Sequence, residues 1–348
     1  MGRNLLDVIA GVVWFGFALS HANAQGQSLG GALELKDFGS FYVHGHVIEA
    51  QYPNTPATGL SAPGQITVGQ MYVQYMIPQR TVTLPLVLVH GANHTGKTFE
   101  TTPDGREGWA TYFARHGSPV YVVDHAGRGR SGFDATKINR AKTTNDASAL
   151  PAVLQYPRAG AWVNFRFGPE FAKPFSDLQF PLEAIDQYSA QIVPNTESFL
   201  DGDTRNTVEA LAELLDRIGP AVVLVHSQSG AFGLDLVRNG AKVAGLIDVE
   251  GNCAPITNAE LDTAFKKVPF LSVWGDHSEG AVGFNGDTRR NGCVATVNAL
   301  RERSADASLL LLPAHGIAGN SHMMMLDKNN LKIADLLIEW ISQRAAQK

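Results

Sequence analysis

An apolar, β-branched run, Val222-Val223-Leu224-Val225, stops abruptly at His226-Ser227-Gln228-Ser229-Gly230. A buried strand that ends in a serine among small residues has the form of a nucleophile elbow, in which one hydroxyl sits on a tight turn ahead of a helix. The usual pattern is Gly-x-Ser-x-Gly. Here Val225 and Ser229 hold the two small positions and Gly230 follows. Acyl transfer by such a serine needs three further parts: a base for its proton, an acid to orient that base, and donors for the developing oxyanion.

The chain offers candidates for each part. Ser227, directly after the strand, is favoured as nucleophile over Ser229, which falls where the helix begins and lets it approach the strand. His226 is read as a packing or hydrogen-bonding neighbour, since a base adjacent in sequence points to the wrong side of the turn. His315 and His322 both follow the last apolar strand. His322 is favoured because it lies just ahead of the closing helix, from where it can reach back over the sheet. For the acid, Glu250 at the end of one strand competes with Asp276 after the next; Ser278, three residues past Gly275, is no acid. Glu250 is favoured, because its longer side chain can reach the histidine and a carboxylate at the end of an apolar strand needs a partner. The oxyanion donors expected are the backbone N–H groups of Gln228 and Ala92, the latter following His90-Gly91. Asn93 is either a further donor or a turn residue.

These residues need a scaffold. Apolar runs predict buried strands at Met71–Pro78, Leu84–Val89, Pro119–Val123, Val222–Val225, Val243–Val249, Pro269–Trp274 and Leu309–Leu312. Helical periodicity lies at Trp109–Arg115, Thr204–Ile218, Ala231–Arg238 and Leu331–Ile341. Strands that are apolar throughout and alternate with helices imply a mostly parallel sheet covered on both faces, with its chemistry at the carboxyl ends of the strands. Residues 133–200 break the rhythm with a long polar and aromatic segment. It carries Tyr156, Trp162, Phe165, Phe167, Phe171, Phe175, Phe180 and Tyr188, more large apolar side chains than a free surface tolerates.

The remaining features narrow the class. A net charge of -5 without a Lys/Arg run argues against nucleic-acid binding. Arg3, the apolar run Val8–Leu19 and Ala22-Asn23-Ala24 predict a signal peptide over residues 1–24, the run being short for a membrane anchor. Residues 25–65 are expected as an irregular lead-in with one or two edge strands. Export makes a disulfide between Cys253 and Cys293 plausible; it would close a loop of about 40 residues, worth about 3–4 kcal/mol. Asp124-x-x-Gly127-x-Gly129-x-Ser131 lacks the Lys-Ser/Thr of a phosphate loop, so Asp124 and Arg128 are read as braces at the sheet edge.

Taken together, His90-Gly91, the Asp124–Ser131 run, the Ser227 elbow, Trp274-Gly275-Asp276 and the late histidine resemble the α/β-hydrolase superfamily over residues 68–345. Val68–Tyr75, Glu100–Arg106, His226–Gly230 and Gly319–Met325 are similar to a small subgroup of exported bacterial serine esterases. The resemblance implies Ser227 as nucleophile, His322 as base and Glu250 as acid, with residues 133–200 an inserted cap on a single domain spanning 25–348. The expected activity is hydrolysis of small-molecule carboxylic esters in the periplasm or outside the cell. Amides or lactones are alternative substrates, and a catalytically inactive binding protein is the rival class. An acid-nucleophile dehalogenase or epoxide hydrolase is excluded by the serine at the elbow. The chemistry calls for no metal or cofactor, no nucleic acid and no membrane insertion; a homodimer is compatible with the sequence.

Overall fold

The computed structural model describes residues 30–50, 64–151, 153–197, 204–253, 255–279, 281 and 286–346. The predicted signal peptide therefore lies outside the described residues. Among the described residues ten strands form two sheets: β1 (Leu35–Val43), β2 (His46–Ala50), β3 (Gly64–Val68), β4 (Met71–Pro78), β5 (Leu86–Val89), β6 (Val120–Asp124), β7 (Ala221–His226), β8 (Val243–Val249), β9 (Phe270–Trp274) and β10 (Ala307–Leu311). The main sheet runs β1-β4-β6-β5-β7-β8-β9-β10, and β2 pairs with β3 apart from it. From β6 to β10 the strands are parallel, while β1 and β4 add an antiparallel edge.

Helices cover both faces. α1 (Trp109–Arg115) precedes β6. α2 (Thr136–Thr143), α3 (Arg158–Asn164) and α4 (Ile185–Ala190) lie in the long β6–β7 connection, and α5 (Arg205–Ile218) leads into β7. α6 (Gly230–Arg238), α7 (Asn258–Asp262), α8 (Asp287–Glu302) and α9 (Asn330–Arg344) complete the chain. Every residue of β5, β7 and β9 is buried, which is why these strands read as mostly apolar runs. Their side chains alternate between two cores. Leu86, Leu88, Val222 and Leu224 pack with Trp109, Phe113, Ile333 and Leu337 from α1 and α9. Val87, Val89, Val223 and Val225 pack with Leu211, Leu214, Phe232 and Val297 from α5, α6 and α8. No helix among the described residues is long and apolar enough to cross a membrane.

Differences from expectation have identifiable causes. The strand expected from Leu84 begins at Leu86, since Pro85 has no N–H to give a ladder. The lead-in holds three strands, β1 to β3, because an edge strand with one exposed face needs few apolar residues. Helix α8 is unanticipated. Its buried face is only Cys293, Thr296, Val297 and Leu300, and Gly292 and several charged residues dilute a spacing that is nonetheless helical. Within 133–200, Trp162, Phe165, Phe167, Phe180 and Tyr188 are buried in the same core as α1 and α9. Phe167 and Phe180 stack with ring centroids 4.0 Å apart. Phe171, by contrast, is 49% exposed.

Cys253 and Cys293 form a disulfide that ties the loop after β8 to the middle of α8. By restricting the unfolded chain, it should stabilise the fold by about 3–4 kcal/mol. The double substitution Cys253→Ser/Cys293→Ser is expected to lower the urea midpoint correspondingly. An unchanged midpoint would show that this closure adds nothing.

Candidate active site

The elbow takes its shape from β7 and the turn behind it. Ser227 has φ 56°, a left-handed conformation that is strained for a residue with a Cβ. Such strain is tolerated where packing on both sides fixes the turn, and here it is. Ser229 is fully buried; its hydroxyl accepts from the His226 N–H at 2.9 Å and donates to a carbonyl, with Val89 and His226 oxygens both at 2.9 Å. A hydroxyl committed in this way is a structural tie, which leaves Ser227 as the serine facing open space. A Cβ at Gly91 would come within 2.9 Å of the Ser227 Cβ, so only glycine lets the loop after β5 pass this close to the elbow. Ala92 from that loop and Gln228 from the elbow line the same cavity as Ser227, of about 230 Å³. Tyr156 and Phe165 form part of its wall.

His322 and Glu250 meet beside the elbow. Glu250 lies just past β8 at φ 49° and is fully buried. Its Oε2 accepts from His322 Nδ1 at 2.6 Å. Its Oε1 accepts from the Gly275 N–H at 2.8 Å and from Arg166, whose guanidinium is also fully buried. Burial alone would push the Glu250 carboxyl up, but the Arg166 charge and the His322 bond outweigh it and hold it at about 2. Burial pushes His322 down, against the pull of Glu250, to about 4. The pair therefore stands at neutral pH as a carboxylate and a neutral imidazole. Because Nδ1 carries the proton donated to Glu250, Nε2 presents a lone pair. Nε2 is buried and makes no hydrogen bond among the described residues.

The histidine is held from several sides. Its N–H donates to the Phe165 carbonyl at 2.9 Å, and the Phe165 ring stacks on its imidazole at 5.5 Å with planes 7° apart. His226 Nε2 donates to the His322 carbonyl at 3.0 Å, the neighbour role expected of it. Asp327 accepts from Ser321 N–H, Ser321 Oγ and Asn320 Nδ2 at 2.7–2.8 Å, folding the loop around His322. Arg106, paired with Asp104, donates to the carbonyls of Leu326 and Asp327 on the same loop. Met323, Met324 and Met325 are core.

The competing candidates sit elsewhere. His315 is exposed in a turn after β10. Asp276 accepts from the His277 and Gly319 N–H groups and braces the loop. Asn93 accepts from the Tyr156 N–H through its side chain and so fastens the β6–β7 connection. Asp124 accepts from Gly96 and Arg130, a brace as expected. Arg128 reaches further. Paired with buried Glu197, it donates to the Gly91 carbonyl at 2.9 Å and to Gln228 Oε1 at 3.1 Å, which fixes both loops that line the cavity.

Two side chains were missed in the sequence. Arg166 lies in a stretch with no strand or helix signal, and only its contact with Glu250, 84 residues away, gives it meaning. Arg289 also lines the cavity, but belongs to the unanticipated helix α8.

A parallel sheet with an antiparallel edge, a strained serine directly after β7 and a carboxylate–histidine pair at the same end of the sheet define an α/β-hydrolase. The chain belongs to that superfamily and is a carboxylic-ester hydrolase. It superposes with a TM-score of 0.84 on a solved novel bacterial esterase, at 38% identity over 90% of this chain and 98% of the other. It is also 28% identical over 323 residues to the probable secreted lipase phiG of Fungal sp. (strain ATCC 74256), covering 79% of this chain and 86% of that protein. No protein-family model matches the chain.

Removing the Arg166 charge leaves Glu250 buried with one partner fewer. Losing one member of a buried ion pair typically costs about 3–5 kcal/mol. Arg166→Leu should lose stability in that range by urea titration, whereas an exposed arginine such as Arg158, on a surface pair with Asp186, should cost under about 1 kcal/mol.

Proposed function

We propose that this chain is an exported serine esterase that works through an acyl-enzyme. Ser227 Oγ attacks the ester carbonyl carbon while His322 Nε2 takes its proton. Glu250 holds the imidazole in the required tautomer and stabilises the imidazolium that forms. The Gln228 and Ala92 N–H groups face the developing oxyanion. Collapse of the tetrahedral species breaks the C–O bond, and His322 returns the proton to the departing alcohol. Water then repeats the sequence on the acyl-enzyme and releases the acid. Residues 133–200 act as the cap: Tyr156 and Phe165 wall the cavity, and Arg166 steadies the acid. The observation that carries this reading is the bond from Glu250 to His322 Nδ1 beside a left-handed serine. The name of the secreted relative and the disulfide support export.

An organophosphate should label the protein once, and Ser227→Ala should abolish labelling and reduce turnover by about 10³-fold or more. Labelling that survives in Ser227→Ala would name another nucleophile.

The pH profile gives a second test. The base works only when neutral, so activity is present above the His322 pKa and lost as pH falls through it. With that value at about 4, kcat/KM should be flat from pH 6 to 8 and fall near pH 4. An acid limb at or above the ordinary histidine value of about 6.5 would contradict the arrangement.

A further inference from the structure

The amide between Gly91 and Ala92 is locked by buried donors. Its carbonyl accepts from Arg128 Nη1 at 2.9 Å and lies 2.9 Å from His90 Nδ1. The His125 N–H donates to His90 Nε2 at 3.1 Å, so the ring proton sits on Nδ1 and that contact is a donation too. Burial and the Arg128 charge push His90 down to about 3, which keeps the ring neutral at working pH. Both lone pairs of the Gly91 oxygen are therefore filled. The next amide is held in the same way: His94 Nδ1 donates to the Ala92 carbonyl at 2.7 Å, and Asn93 takes a left-handed φ of 58°. In a trans peptide the N–H points opposite to the C=O. A Gly91 carbonyl drawn to Arg128 turns the Ala92 N–H the other way, on a residue that shares its cavity with Ser227.

Arg128 uses every donor it has. Nε and Nη2 hold buried Glu197, Nη1 also reaches the His94 carbonyl at 3.3 Å, and Nη2 donates to Gln228 Oε1 at 3.1 Å. The five N–H groups of one fork thus join the loop after β5, the residue after the elbow serine and the end of the β6–β7 connection. Glu197 balances the charge, so what Arg128 supplies is geometry. The segment that carries Glu197 is itself fastened to the same parts. Thr196 Oγ1 donates to the Gly127 carbonyl, Asn195 Oδ1 accepts from the Asn93 N–H at 2.6 Å, and the Val193 N–H donates to the Asn93 carbonyl at 2.9 Å.

Resting on the esterase reading, we propose that Arg128 is a positioning residue for the oxyanion site: it sets the direction and separation of the Ala92 and Gln228 N–H groups before substrate arrives. Donors already in place need no reorganisation as negative charge forms on the ester oxygen, so their effect falls on the transition state rather than on substrate binding. A lysine keeps the charge, but its single nitrogen cannot span contacts that the planar fork makes together.

The full-length protein is assayed with p-nitrophenyl butyrate and titrated with 1,1,1-trifluoro-2-heptanone, whose hemiketal with a serine puts an alkoxide where the oxyanion forms. Arg128→Lys, and the double substitution Arg128→Met/Glu197→Gln that removes both charges, should each lose about 10²-fold in kcat. KM should stay within about threefold, and the ketone should bind more weakly by a factor similar to the loss in kcat. The fall of kcat/KM near pH 4 should not move, because Glu250 and His322 are untouched. Gln228→Met keeps its backbone N–H and gives up one Arg128 contact; it should lose severalfold in kcat and in ketone affinity together. A folded Arg128 variant with kcat within about threefold of wild type overturns the inference while the esterase reading stands. A lower kcat with unchanged ketone affinity, or with a shifted acid limb, also overturns it, since the effect then lies elsewhere than the oxyanion donors. Where neither Arg128 variant folds, an unaltered Gln228→Met overturns it. No turnover of any ester by the wild-type protein, together with no organophosphate labelling, overturns both readings.

Discussion

A buried carboxylate is the constraint around which this molecule is arranged. Glu250 ends an apolar strand at zero exposure, where an ionised carboxyl without partners would be costly. It is accommodated because three donors converge on it from three parts of the chain: the Arg166 guanidinium, the Gly275 N–H and the His322 imidazole. Each bond also sets a direction. The histidine receives its tautomer, the β9 terminus its spacing, and the long β6–β7 connection its seat on the sheet.

That connection is more than a cover. Phe165 stacks on the imidazole and accepts its backbone N–H, while the next residue supplies the buried cation. Two adjacent residues therefore hold both Glu250 and His322. A segment that only roofed a pocket could shift without cost. This one cannot move far without depriving Glu250 of its Arg166 partner and His322 of its Phe165 contacts, so its position and the electrostatics of the site are linked. On the opposite side, Arg128 ties the Gly91 carbonyl to the Gln228 side chain. The loops that carry the two proposed oxyanion donors thus share one buried cation.

A third cation, Arg289, belongs to a helix tethered by the disulfide as well as by a narrow buried face. Only a narrow face of α8 is buried. A helix with so little buried surface gains much from a covalent link, and Cys253–Cys293 provides it within reach of the site. Stability and the shape of the cavity are thereby joined at the same two residues.

Much of this was present in the order of residues alone. The apolar runs of β5 and β7, and of β8 up to Asp248, suit strands buried on both faces, as in a parallel sheet. The abrupt end of β7 at Ser227, and polar residues at successive strand ends, marked where chemistry sits. Ser227 and Glu250 could be proposed because each directly follows an apolar strand, and His322 because it lies just ahead of the closing helix. Arg166 and Arg289 could not, because neither stands at such a boundary. Their roles depend on distances across 84 residues of chain in one case and on a weakly patterned helix in the other. Local periodicity reports which face of an element is buried. Which distant charge meets a buried carboxylate is decided only when the whole chain has packed.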